Sequence, residues 1–250
     1  IAVATLARPR TRNALSLGTL AAFETLIADL RDRRDVQALV IAADGPVFSA
    51  GHDLKELTAR RADADGGRAF FEETLTACAR VMQGLVTLPQ PVIAAVEGLA
   101  TAAGCQLVAS CDLAVAGEQA RFCTPGVHIG LFCSTPMVAL SRNVAPKHAM
   151  EMLLLGEMVQ AEDAARMGLV NRVVPAGEAL ARALDWARLV ATKSSATLAL
   201  GKRAFYEQRE MPLADAYDHA TRVMIENMLA GSACEGIDAF LARRAPTWPA

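Results

Sequence analysis

The apolar positions of this chain fall into short unbroken runs and longer stretches of helical spacing. The run Pro91–Val96 is apolar at every position and predicts a strand buried on both faces. Ile1–Leu6 and Gln37–Ala43 predict two more strands, the second stopped by Asp44-Gly45-Pro46. Between them, Leu17, Leu20, Phe23, Leu26, Ile27 and Leu30 recur at helical spacing behind Ser16, a good N-cap. A strand, helix, strand succession predicts parallel pairing through a crossover. Phe70, Phe71, Leu75, Cys78, Val81, Met82 and Leu85 mark a second amphipathic helix, which delivers the chain to the Pro91 strand. That strand is followed by a small-residue turn, Gly98–Gly104, a buried helix, Cys105–Ser110, and another strand, Leu113–Ala116.

The remaining pattern is less regular. Polar, glycine-containing Thr58–Arg68 predicts a mobile surface loop, and Arg121–Pro136 predicts an irregular, turn-rich segment. Helical spacing returns near Met137–Arg142, Lys147–Leu155 and Ala161–Met167, and Leu169–Val174 predicts a last short strand. From Glu178 onward the pattern is helical, with breaks near Ser194, Pro212 and Gly231. The chain therefore predicts an α/β fold with a helical C-terminal third, without an internal repeat or a linker between independent domains.

Two turns have chemical potential. The first N–H groups of a helix lack internal partners and carry the positive end of its dipole, so they can hold an anion. Ala100, Ala102, Ala103 and Gly104 would let a foreign oxygen approach such N–H groups closely, and Ser49-Ala50-Gly51-His52 repeats the arrangement after a short strand. Close packing of a buried helix selects the same small residues, so the segment alone leaves both readings open.

Composition narrows the class. With 250 residues and 53% hydrophobic content the chain can bury a large core, and a formal net charge of −2 gives no nucleic-acid footprint. No apolar run approaches the ~20 residues that span a bilayer, so neither nucleic acid nor membrane is expected as a partner. The six cysteines lack CxxC pairs and lie mostly in apolar segments, which predicts reduced, buried thiols in an intracellular protein. The four histidines lack ligand spacing, so no metal is expected. The chain opens inside a strand without a signal peptide, and a few native residues are expected upstream.

Four blocks, in order, carry a resemblance that covers nearly the whole chain: Arg8-Pro-Arg-Thr-Arg-Asn-Ala-Leu, Phe48-Ser-Ala-Gly-His-Asp-Leu-Lys-Glu, Val92 through Asp112, and Gly168-Leu-Val-Asn-Arg-Val-Val-Pro. The sequence resembles the enoyl-CoA hydratase/isomerase, or crotonase, family. Ala100–Asp112 and Gly130–Pro136 point to one subgroup within it. The resemblance implies a spiral of ββα units over residues 1–190 and a helical trimerisation region over 191–250. It also implies homotrimers or dimers of trimers, acyl-CoA thioester ligands, and no cofactor beyond the coenzyme A carried by the substrate. A cytoplasmic location follows, or the mitochondrial matrix in a eukaryote.

Two backbone N–H groups of the family hold the thioester oxygen as it becomes an enolate, and their positions match His52 and Ala103 here. Each such donor in a dry site contributes about 3 kcal/mol. The positions expected to contact coenzyme A match Arg10 and Arg12 at the phosphate entry, Ala50, Asp53 and Leu54 on the His52 turn, and Phe240 and Arg243 near the C-terminus. These last two commonly reach the nucleotide of a neighbouring subunit. Taken singly, an arginine is ordinarily a solvated surface charge and Asp53 a turn or cap residue.

The chain departs from the family at its two glutamates, whose positions match Gln106 and Gly126. An amide does not exchange a proton near neutral pH and glycine has no side chain, while each general acid–base group contributes roughly 10²- to 10⁴-fold. Ordinary enoyl-CoA hydration is therefore expected to be very slow, and carboxylates restored at both positions should recover some of it. Three readings remain: an enolate-stabilising acyl-CoA enzyme, a malonyl-type decarboxylase in which loss of CO₂ itself makes the enolate, and a non-catalytic acyl-CoA binder. His52 is the best proton carrier by its ordinary pKa, its ring facing either solvent or the acyl pocket. Cys133, Ser134 and His128 on the irregular segment are expected to serve packing.

Overall fold

A computed structural model describes residues 1–249. The strands are β1 (Ala2–Leu6), β2 (Leu39–Ala43), β3 (Val47–Ser49), β4 (Val92–Val96), β5 (Leu99–Thr101), β6 (Leu113–Gly117), β7 (Arg121–Cys123), β8 (Val159–Gln160) and β9 (Arg172–Val174). They build two sheets: a parallel one in the order β1-β2-β4-β6-β9, and a smaller one in the order β3-β5-β7-β8 whose last pair is antiparallel. From β2 to β7 successive strands alternate between the two sheets, so each ββ corner carries the chain from one layer to the other. At the corner between β4 and β5, a Cβ on Gly98 would lie 1.9 Å from the Pro46 carbonyl oxygen, so only glycine lets the two corners nest.

Helices fill the spaces between corners. α1 (Leu17–Arg31) starts at Ser16, whose side chain accepts from the Thr19 N–H, and buries Leu20, Phe23, Ile27 and Leu30. α2 (Leu54–Ala59) is capped by Asp53, and α3 (Arg68–Thr87) packs beside α1 and leads into β4. α4 (Ala103–Ala109) is buried at every position, which explains why its segment is uniformly apolar or small. α5 (Ser134–Leu140), α6 (Pro146–Leu155) and α7 (Ala161–Met167) follow, then α8 (Ala179–Ala191), whose Ala179, Ala183 and Ala187 bury one side against Val40, Ile93 and Val115 of the large sheet. The C-terminal layer is α9 (Ser195–Gln208), α10 (Leu213–Leu229) and α11 (Gly231–Leu241), with breaks close to the expected residues. Among the described residues, no helix is long and apolar enough to cross a membrane.

Several expectations are corrected. The turn Gly98–Gly104 contains β5, a three-residue strand of small side chains that pairs with β3 and β7. The stretch expected as a mobile loop, Thr58–Arg68, holds the end of α2, a 3-10 turn at Arg60–Ala62 and an Asp65 carboxylate that accepts from the N–H groups of Gly67 (2.9 Å) and Ala69 (2.8 Å). Arg121–Pro136 contains β7, a 3-10 helix at Pro125–Ile129 and the start of α5. The edge strand β8, two residues long, lacked any pattern to read. Five cysteines are buried as free thiols, but Cys234 is exposed.

One polar cluster ties the C-terminal layer to the sheet. Lys202 of α9 places Nζ 2.6 Å from Oδ2 of Asp112 and donates to the carbonyls of Leu85 (2.9 Å) and Gln90 (3.0 Å), which the chain leaves open as it passes from α3 to β4. Asp112 also accepts from the Val92 N–H (2.7 Å) and the Tyr206 hydroxyl (2.9 Å). Burial pushes the Asp112 carboxyl up and the Lys202 amine down, while each opposes the other's shift. Replacing Lys202 by Met leaves a buried carboxylate without its countercharge, and is expected to lower stability by about 3–5 kcal/mol in urea unfolding. Asp112→Asn in that background should restore part of the loss.

Candidate active site

The site is assembled where β3 and β5 end. Asn13, 1% exposed, pins the arginine-bearing turn to the β2–β3 corner. Its amide donates to the carbonyls of Asp44 (2.9 Å) and Val47 (2.7 Å), and its carbonyl oxygen accepts from the Arg8 N–H (2.8 Å). The segment after it then runs alongside β3: the Ala50 N–H donates to Arg12 O (3.0 Å), Ser49 Oγ donates to Asn13 O (2.9 Å), and the Leu15 N–H donates to Gly51 O (2.8 Å). Arg10 and Arg12 are exposed on this turn, with Ala50 half-buried and Leu54 exposed beside it.

The direction of the His52 N–H follows from this pairing. In a planar trans peptide the N–H points opposite to the preceding carbonyl. The Gly51 carbonyl faces Leu15, so the His52 N–H faces away from Leu15. The same reasoning applies at Ala103. The Ala102 N–H donates to Cys123 O (2.9 Å) as part of the β5–β7 ladder, whereas its carbonyl accepts from the Gln106 N–H (3.0 Å) inside α4. The Ala103 N–H must therefore point out of the helix N-terminus. Ala102 changes from sheet to helix in one residue, with φ 51 and ψ −120, a conformation that costs an L-residue roughly 1–3 kcal/mol.

The two turns are in contact. A Cβ built on Gly51 would lie 3.0 Å from the Ala103 nitrogen, and one on Gly104 would lie 2.4 Å from Ser49 O. Gly51 also holds φ +80, which suits glycine. The His52 and Ala103 N–H groups thus lie on abutting turns, one of them at a helix N-terminus.

The two positions that match the family's glutamates carry no charged side chain. Both nitrogens of His52 are buried without a hydrogen-bond partner. Burial drives its pKa down, against smaller opposing contributions from the Leu15 backbone and the Glu56 carboxylate. The ring is thus neutral and enclosed, rather than facing solvent. Gln106 is 4% exposed and its Oε1 also lacks a partner. Gly126 is buried in the 3-10 helix after β7, and a Cβ there would meet Leu131 O at 2.7 Å and Cys133 Sγ at 2.9 Å. This corrects the expectation that carboxylates at 106 and 126 together would recover hydration: a glutamate at 126 has no space until Leu131 and Cys133 move. Asp53 Oδ1 accepts from the N–H groups of Lys55 (3.0 Å) and Glu56 (3.2 Å), a capping role. Phe240, 82% exposed, and Arg243 lie at the end of α11, which packs on α9 and α10.

A family model described as enoyl-CoA hydratase/isomerase matches residues 1–250. The chain belongs to the enoyl-CoA hydratase/isomerase family. The subgroup indicated by the Ala100–Asp112 and Gly130–Pro136 segments is enoyl-CoA hydratase domain-containing protein 3. The chain is 46% identical to the mitochondrial protein of that name from Rattus norvegicus over 243 residues, 97% of this chain and 79% of the relative. The crystal structure of human enoyl Coenzyme A hydratase domain-containing protein 3 superposes with a TM-score of 0.92 at 46% identity, covering 98% of this chain and 94% of that one. A crystal structure of an enoyl-CoA hydratase from Mycobacterium smegmatis gives a TM-score of 0.92 at 48% identity, covering 98% and 95%. The crotonase-like spiral is thereby shown for this family member.

Asn13 went unnoticed in the sequence as an anchor of the site. Asn13 had one available signal, since its φ of 52 is a conformation asparagine tolerates better than most residues. Gly104→Ala is expected to push the two turns apart and cost about 1–3 kcal/mol in chemical denaturation. Gly201→Ala, in a helical position with open space, should be neutral or stabilising. Because the folded His52 ring resists protonation, the unfolded chain binds the proton preferentially below the ordinary value of 6.5. Stability should fall as pH drops below about 6.5, and His52→Gln should flatten that decline.

Proposed function

We propose that the chain binds acyl-CoA thioesters and stabilises their enolate form between the N–H groups of His52 and Ala103. The supporting observation is the contact between the two turns, with each N–H turned away from its own chain's hydrogen bonds. Donors aimed at developing charge in a water-poor site act without reorganising, and each contributes about 3 kcal/mol. Arg10 and Arg12, exposed on a turn fixed by Asn13, would meet the phosphate oxygens in this reading. Ala50, Asp53 and Leu54 would border the thioester arm.

Ordinary β-hydration is not the reaction this site favours. It needs a group to activate water and one to protonate carbon, and positions 106 and 126 offer an amide and no side chain. Decarboxylation of a malonyl-type thioester is a second reading, favoured by the same observation because loss of CO₂ generates the enolate without a base. Non-catalytic binding is the outcome if no thioester is turned over.

Self-association belongs to the same proposal. Met224, Ile225, Met228 and Leu229 of α10 and Phe240 and Leu241 of α11 are exposed apolar side chains on one helical layer. Such a surface supports a homotrimer or dimer of trimers, with Phe240 and Arg243 offered to a neighbouring subunit's nucleotide. An intracellular, thiol-reducing location completes the reading, and the relatives' mitochondrial names make the matrix a candidate in a eukaryote.

Calorimetry with acetyl-CoA and crotonyl-CoA is expected to show binding, and absence of binding at millimolar ligand overturns the proposal. Crotonyl-CoA absorbance should then change little. A panel with malonyl- and methylmalonyl-CoA, followed by CO₂ release, separates decarboxylase from binder. Rapid loss of the enone signal would instead reveal a hydratase.

A further inference from the structure

A thioester enolate must gain or lose a proton at its α-carbon, and neither family carboxylate position can carry one. His52 is a poor substitute because burial opposes protonation of its ring, despite the smaller contributions of the Leu15 backbone and Glu56. The space that a side chain at position 126 would enter is occupied. Cys133 Sγ stands 2.9 Å from the point where a Cβ on Gly126 would be, and Cys133 is 8% exposed. That sulfur belongs to the same neighbourhood as the oxyanion turn. Ala102 bonds to Cys123 three residues before Gly126, and α5 packs on α4 directly after Cys133.

Gln106 supplies a second, independent sign that a ligand belongs here. A helical side chain leans toward the N-terminus of its helix, so Gln106, three residues after Ala103, aims its amide over the turn that presents the Ala103 N–H. Its Oε1 is buried without a partner, an unfavourable state unless something fills the space before it.

We propose that Cys133 is the proton-transfer group of this site, its thiol taking the space of the absent side chain at 126 and exchanging a proton with the α-carbon of a bound acyl thioester. This rests on the acyl-CoA reading above. In the forward step the thiolate takes the α-proton and becomes a thiol, and the C–H electron pair moves through the carbonyl to the oxygen held by the His52 and Ala103 N–H groups. In the reverse step the enolate carbon takes the proton back and the thiolate is regenerated, so no atom is gained or lost and no co-reactant is needed. In D₂O the thiol exchanges with solvent, and deuterium returns to carbon. Burial pushes the Cys133 thiol above its ordinary range while the Gly126 backbone pulls it partly back, so the group is mostly protonated at neutral pH.

The test uses the full chain with butyryl-CoA in D₂O, with binding measured by calorimetry and α-deuterium by mass spectrometry. Wild type is expected to bind and to incorporate deuterium at a rate rising about tenfold per pH unit between pH 7 and 9, following the thiolate fraction. Cys133→Ser, whose hydroxyl does not ionise in that range, should lower the rate per bound ligand by about tenfold or more. Binding without exchange, or a serine variant that exchanges as fast as wild type, overturns the assignment to Cys133 and leaves the acyl-CoA reading standing. Absence of butyryl-CoA binding overturns that reading itself. Should Cys133→Ser and Cys133→Ala both fail to fold, the wild-type pH profile measured above the exchange of free butyryl-CoA decides, and a flat profile or no excess exchange overturns the assignment.

Discussion

The site depends on peptide planarity more than on any side chain. A carbonyl committed to one partner turns the N–H in the same peptide plane the opposite way. At Gly51 that partner is Leu15, and at Ala102 it is the first full turn of α4. Neither N–H is aimed by its own side chain, so histidine and alanine can stand at the two positions with equal effect on direction. What the fold must guarantee is the approach of the turns, which small residues allow: Gly51 against the Ala103 nitrogen and Gly104 against the Ser49 carbonyl.

That approach is a consequence of the alternating sheets. β3 and β5 pair directly, so the turns leaving their ends are neighbours by register rather than by a separate packing solution. The arginine turn is added to the same edge through Asn13, Ser49 and Ala50, which link the first fifteen residues to the end of β3. The Asp112–Lys202 pair performs a comparable service for the C-terminal helices, joining α9 to the start of β4 and β6.

Much of this was legible in the sequence, for physical reasons that differ by element. β4 is buried on both faces and so reads as an unbroken apolar run, and the helices after Glu178 repeat at helical spacing between clear breaks. β5 and β8 were hidden because three small residues or two edge residues cannot display a period. Both turns could be chosen from their small residues, but their contact could not, since it joins positions about fifty residues apart. Position 126 shows the limit most clearly. The sequence says that a side chain is missing, whereas only the structure shows that Leu131 and Cys133 have closed over its place.

Ala102 carries a further implication. Its backbone occupies a region that glycine enters freely and alanine enters under strain, yet the methyl group remains. Selection for heat tolerance alone would exchange it for glycine, relieving the native conformation at the expense of a looser unfolded chain and a freer hinge. Retaining alanine narrows the rotations open to the peptide that follows. The methyl group thus holds that peptide, and the amide it carries, to a narrower bearing than glycine would.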